Sequence, residues 1–141
     1  MERSDELMSG FILDTHVLVW FFEEPSKLSA AADSAIRSAA ESFGESLYIS
    51  AITLVEIQYL IEKERISPNV LALLRMEFAH SDPIFAVIPL DQRIADNLGI
   101  ICRSAVPDMP DRIIAATAKV HNLPLVTADL AIQKSGIRTV W

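Results

Sequence analysis

Short, mostly apolar runs recur along this chain and alternate with helical segments, and that alternation limits its possible folds more than any other feature. Phe11-Ile12-Leu13, Leu47-Tyr48-Ile49, Phe85 to Ile88, Leu125-Val126-Thr127 and Arg138-Thr139-Val140 read as five strands. The segments between them read as helices. One follows Asp14, and one spans Ser29 to Ser42, rich in alanine, with Asp33 and Arg37 at i,i+4. Ser50 stands where it caps a helix from Ala51 to Glu64, and Pro68 opens another that reaches about His80. Asp91 caps a helix expected to carry Cys102 and end near Arg103. Asp108 starts a helix that runs to His121 and stops at Asn122, and Leu130 to Lys134 is a last short one. Apolar strands alternating with helices predict an α/β domain whose parallel sheet is covered on both faces. Ligands of such sheets bind beyond the carboxyl ends of the strands, at a switch in strand order.

A chain of 141 residues with 51% hydrophobic residues is long and apolar enough for one cored domain, and is no disordered tail. Only four glycines occur, and neither a repeat nor a low-complexity linker breaks the pattern. Residues 10–141 therefore read as one domain behind a loose, charged extension over 1–9. Lys and Arg number 12 against 19 Asp and Glu, a formal net charge of −7. That balance argues against a nucleic-acid binder working through a broad basic surface. It leaves metal cations, a basic protein, or nucleic acid reached through a local site. The single cysteine, Cys102, fits a reduced compartment. The first residues lack the apolar core of a signal peptide. Phe11 to Phe22 is too short, and too interrupted by Asp14 and His16, to span a bilayer. The expectation is a cytoplasmic protein without membrane contact.

Four carboxylates stand out. Asp14 ends the first strand, and Asp129 follows the fourth; each alone reads as the N-cap of the next helix. Glu56 has Ile52, Thr53, Tyr59 and Leu60 as its i±3 and i±4 neighbours, so it lies on or beside an apolar face. An unpaired carboxylate is costly there, and Lys63, roughly 10 Å further along the axis, is no ready partner. Asp111 opens the apolar helix Ile113-Ile114-Ala115-Ala116, with Asp108 as its cap. The two compete for any functional role, and Asp111 is favoured because it lies further inside the helix. Helices that follow parallel strands begin at the same sheet edge, so Asp14, Asp111 and Asp129 should converge, with Glu56 leaning over them. Two carboxylates about 4 Å apart repel by roughly 4 kcal/mol at an effective dielectric near 20. Such a cluster must take up protons or hold a cation. Oxygen ligands without a His/Cys set select Mg²⁺ or Mn²⁺, which keep waters and bridge to phosphate. A metal-dependent phosphoester site is the sharpest reading of the residues alone.

At these residues the chain resembles the PIN-domain family, specifically the VapC-like toxins of bacterial type II toxin–antitoxin pairs. The resemblance runs from about Gly10 to Trp141 and rests on four segments in order. They are Ile12-Leu13-Asp14-Thr15-His16, Ser50-Ala51-Ile52-Thr53-Leu54-Val55-Glu56-Ile57, Pro110-Asp111-Arg112-Ile113-Ile114-Ala115-Ala116-Thr117-Ala118 and Pro124-Leu125-Val126-Thr127-Ala128-Asp129. It implies a five-stranded parallel sheet of order 3-2-1-4-5 and Mg²⁺- or Mn²⁺-dependent endoribonuclease activity, with Asp14, Glu56, Asp111 and Asp129 as the catalytic acids. It further implies that Asp14, Asp111 and Asp129 bind the metal, that Glu56 orients or deprotonates the attacking water, and that Thr127 steadies the site. His16 stands where many members have Asn or Ser; a hydrogen bond at the helix start, or a contact behind the metal ligands or to substrate, are its alternative roles. RNA substrate, a cognate antitoxin and a homodimer are the implied partners.

Arg93, Arg103, Arg112 and Lys119 are the cations available to the mouth of such a site. No basic–aromatic RNA platform is visible, so selection of RNA would rest on shape and a few contacts. Trp20, Phe21 and Phe22 read mainly as core, their exposed parts free for an interface. A haloacid-dehalogenase-like phosphatase would need a second Asp where His16 stands, and no Asp and Lys pair of a receiver domain is evident. The alternative kept beside the nuclease is a catalytically silent PIN-like module that binds metal or protein.

Overall fold

The computed structural model describes residues 8–141; the greater part of the expected extension, 1–7, lies outside the described residues. Strands β1 (Gly10–Leu13), β2 (Ser46–Ser50), β3 (Phe85–Ile88), β4 (Leu125–Val126) and β5 (Thr139–Val140) pair in parallel, in the order β3-β2-β1-β4-β5. Helices α1 (Thr15–Glu23), α2 (Ala30–Glu41), α3 (Ala51–Glu62), α4 (Asn69–Phe78), α5 (Gln92–Asp96), α6 (Met109–Val120) and α7 (Leu130–Gln133) connect them. The chain steps outward from β1 to β3, then returns to the other side of β1. The strand order therefore switches between β1 and β4, as expected.

Side chains of neighbouring residues in a strand point to opposite faces, and both faces of this sheet are buried. Ile12 and Leu125 pack with Ile88, Ile94, Ile114 and Ile132 on one side. Leu13 and Val126 pack with Leu18, Leu47, Ile49 and Leu74 on the other, where Phe21 and Phe22 lean on the same cluster. The inner ends of β1 and β4 can be apolar throughout because neither face of them meets water, whereas Val87 on the edge strand β3 is exposed. At the start of β1, Gly10 adopts a φ of +131°, and a Cβ there would lie 1.9 Å from the Ser46 carbonyl oxygen. Glycine is what lets β1 and β2 close against each other at that point.

Some helix ends differ from expectation. Helix α3 stops at Glu62, because Glu64 turns into the left-handed region at φ 58°. The helix expected to carry Cys102 is broken into α5 and a single 3₁₀ turn, Leu98–Ile100. Asn97 causes the break: its Nδ2 donates to the Arg93 carbonyl at 2.7 Å, competing with the backbone, and Gly99 follows. Cys102 thus sits exposed in a turn, its Sγ 3.0 Å from Ser104 Oγ. Helix α6 ends as read: Asn122 takes φ 54° and the Leu123 N–H returns to the Ala118 carbonyl at 2.9 Å. Among the described residues no helix is long and apolar enough to cross a membrane.

Candidate active site

Register builds the site. Strands β1 and β4 align Ile12 with Leu125 and Leu13 with Val126, so the next residues, Asp14 and Thr127, leave the sheet side by side. The Asp14 N–H still donates to the Val126 carbonyl, at 3.0 Å. Its carboxylate is buried, with Oδ1 accepting the Thr15 N–H at 2.8 Å and Oδ2 accepting the Thr127 hydroxyl at 2.7 Å. Thr127 Oγ1 accepts the Asp129 N–H at 3.0 Å, so one hydroxyl ties both strand ends together. Asp129 Oδ1 accepts the Ala131 and Ile132 N–H groups at 2.8 and 3.2 Å, capping α7. The capping roles of Asp14 and Asp129 are thus real, and they coexist with convergence.

Glu56 reaches the same edge from the second turn of α3. Thr15 Oγ1 donates to Glu56 Oε1 at 2.6 Å, and the Thr15 and Thr53 hydroxyl oxygens are 2.9 Å apart. Both threonines are buried. Thr15 has one hydroxyl proton and gives it to Glu56, so Thr53 must donate to Thr15. Neither threonine was singled out from the sequence, although Thr53 stands one turn before Glu56 and Thr15 directly after Asp14. Those spacings were the available signal.

Asp108 and Asp111 join the cluster at the start of α6. The Asp111 N–H lies 3.4 Å from Asp108 Oδ2, the cap at its longest. Glu56, Asp108 and Asp111 each offer one carboxylate oxygen within 4.8 Å of the others, a grouping that could hold a metal ion. The tightest trio therefore includes Asp108, which the sequence set in competition with Asp111. Burial, then repulsion from Asp14, Asp108, Asp129 and Glu56, pushes the Asp111 carboxyl up to about 8. Burial also raises Asp14 and Glu56, against the hydrogen bonds from Thr127 and Thr15. Of the four expected acids, Glu56 and Asp111 share that grouping with Asp108, while Asp14 and Asp129 lie outside it, near enough to raise the Asp111 carboxyl.

His16 lies exposed in the first turn of α1, close enough to favour the charged forms of Asp14 and Glu56. Its ring is 6.1 Å from that of Trp20, which is 5.9 Å from Trp141 beyond β5, and Lys27 Nζ lies 5.8 Å from the Trp20 ring centre. Two of the arginines expected near the mouth each donate to a carbonyl oxygen. Arg93 Nη2 donates to Val120 at the far end of α6, at 3.3 Å, and Arg112 Nε to Ile101 at 2.8 Å. Lys119 lies in the last turn of α6, more than two turns from Asp111.

An acidic cluster at the switch point of a 3-2-1-4-5 parallel sheet is the architecture of a PIN domain. The PIN-domain family matches residues 11–136, and the chain belongs to that family. It is similar to Ribonuclease VapC22 of Mycobacterium tuberculosis, with 35% identity over 124 residues, covering 86% of this chain and 88% of that protein. In fold it is similar to VapBC of Salmonella typhimurium, solved bound to DNA, with TM-score 0.69 and 24% identity over 94% of this chain and 97% of that one. FitAcB of Neisseria gonorrhoeae matches with TM-score 0.59 and 25% identity over 92% of this chain and 95% of that one.

Proposed function

We propose that this chain is a Mg²⁺- or Mn²⁺-dependent endoribonuclease, the toxin of a VapBC-type toxin–antitoxin pair. The observation that carries this reading is the carboxylate grouping of Glu56, Asp108 and Asp111 in a PIN domain, with Asp14 and Asp129 close enough to repel Asp111. The 35% identity to a ribonuclease supports it. An all-oxygen donor set whose members push one another towards protonation fits a hard dication. Asp14, Asp111 and Asp129 would hold it, Asp111 being shared with the Glu56–Asp108 grouping. Such an ion, when bound, polarises a phosphodiester and makes water a better nucleophile at neutral pH. Glu56 takes the proton of the attacking water at Oε2, because Oε1 is committed to the Thr15 hydroxyl. Thr127 holds Asp14 and the Asp129 backbone in one arrangement, so neither loop must reorganise during the reaction.

The protein partner in this reading is a cognate antitoxin. Proteins of similar fold were solved as VapBC complexes, and a groove of about 270 Å³ beside Glu56, lined by Val55, Tyr59, Met109 and Pro110, offers an apolar seat next to the acids. A homodimer and a cytoplasmic location belong to the same reading.

The test is cleavage of a transfer-RNA pool by purified protein with Mg²⁺ or Mn²⁺, beside reactions with EDTA and an identically purified Asp14→Asn variant. Discrete metal-dependent fragments, missing with the variant, are expected. Metal that raises the melting temperature without any cleavage would favour the silent binding module instead.

A further inference from the structure

Three aromatic rings, two from α1 and one from the residue after β5, meet beside the acidic cluster. His16 and Trp20 are one turn apart on α1, and Trp141 follows β5. The rings form a row, with centres 6.1 and 5.9 Å apart and planes inclined by 51° and 50°. This row continues the site: His16 stands two residues after Asp14, and the carbonyl of Val140, just before Trp141, accepts the Thr127 N–H at 3.2 Å. It is also open. His16 is exposed, Trp141 is 37% exposed, and Trp20 is half-buried. Scattered exposed aromatics need no explanation, but a contiguous row adjoining a polar site marks a binding surface.

Charge identifies the occupant. A chain of net charge −7 gains little from general attraction to a polyanion, so contacts that do not depend on phosphate must add to what the acidic site holds. Aromatic faces supply such contacts to nucleobases whatever the base. Lys27, 5.8 Å from the centre of the middle ring, Trp20, and held at 3.2 Å from Glu24, adds local cationic character. Bases in a duplex are already stacked, whereas unpaired bases are free to splay onto a ring.

We propose that His16, Trp20 and Trp141 form a stacking subsite for an unpaired base of a single-stranded RNA, next to the phosphate at the acidic cluster. This rests on the nuclease reading for the identity of its ligand, and it selects loops and single strands over duplex.

Trp20 and Trp141 are the two tryptophans of the chain, so its indole fluorescence reports the subsite alone. The titrant is a 2′-O-methyl hexaribonucleotide of mixed sequence, compared with the same backbone made abasic and with a duplex of the same sequence. Saturable quenching by the single strand is expected, weakened roughly tenfold or more by loss of the bases. On cleavable RNA, Trp141→Ala raises KM about 5- to 50-fold with kcat nearly unchanged, and Trp141→Phe recovers most of the loss. Fluorescence unmoved by the hexamer, or moved equally by the abasic strand, overturns the subsite, and with it would stand a role for the row in holding a protein partner. Because the titration uses the wild-type chain, this outcome does not depend on the variants folding. Cleavage without base-dependent quenching removes the subsite and leaves the nuclease; base-dependent quenching without cleavage does the reverse.

Discussion

Asp111 sits where folding brings four other carboxylates towards it, and that works against stability. Its folded carboxyl titrates at about 8, against 3.8 for the free group. Between these values the native state keeps a proton that the unfolded state has lost, so metal-free stability falls as pH rises from about 4 to about 8. Asp14 and Glu56, also raised, act in the same direction. In EDTA at pH 8, Asp111→Asn is therefore expected to be more stable than the wild type. Discounted for partial exposure, the gain is on the order of 1 kcal/mol, or about 3–5 °C in Tm. Mn²⁺ should flatten the wild-type profile by taking the place of the proton, and should move the variant little. Thermal melts across pH with and without the metal check both points; a variant less stable than the wild type at pH 8 would show that the repulsion has been misjudged.

Helices α1 and α3 come from different strand crossovers, and the hydroxyl chain Thr53 to Thr15 to Glu56 links them. Thr15→Val keeps the shape and removes the donor, leaving Glu56 free to rotate and the buried Thr53 hydroxyl without its acceptor. The expected result is a kcat lowered roughly 10- to 100-fold with KM close to wild type, and a stability loss of about 1–3 kcal/mol. Thr15→Ser should restore both. If valine and serine lost activity equally, the hydroxyl would have no positioning role. These threonines were hard to see in advance because their partners lie 38 and 41 residues away, and a hydroxyl shows no periodicity of its own. The strands were easier. Burial on both faces leaves a run such as Phe11-Ile12-Leu13 no polar positions, and the carboxylate that follows marks where the sheet ends. Helix α5 misled because its apolar residues continue past Asn97, while one side-chain amide decides where the backbone stops.

At the scale of the whole molecule, what the sequence displayed was the order of the elements and the acids at their ends; what it concealed was contact between residues such as Trp20 and Trp141, which only the strand order brings together. The same holds for charge. Composition reports −7, and only the fold shows that Arg93 and Arg112 each spend a donor on a backbone carbonyl. A basic nuclease with six phosphate contacts on a single strand would lose roughly 300-fold in affinity from about 50 to 200 mM salt, because binding releases counterions. Stacking and one local phosphate contact release few, and added salt also screens the repulsion between RNA and an acidic chain. With Mg²⁺ held saturating, KM for single-stranded RNA is therefore expected to change less than about threefold over that range. Steady-state cleavage at stepped KCl concentrations measures it. A steep rise in KM would mean that many phosphates are gripped by cations along the strand, and that the negative surface is not the one the RNA meets.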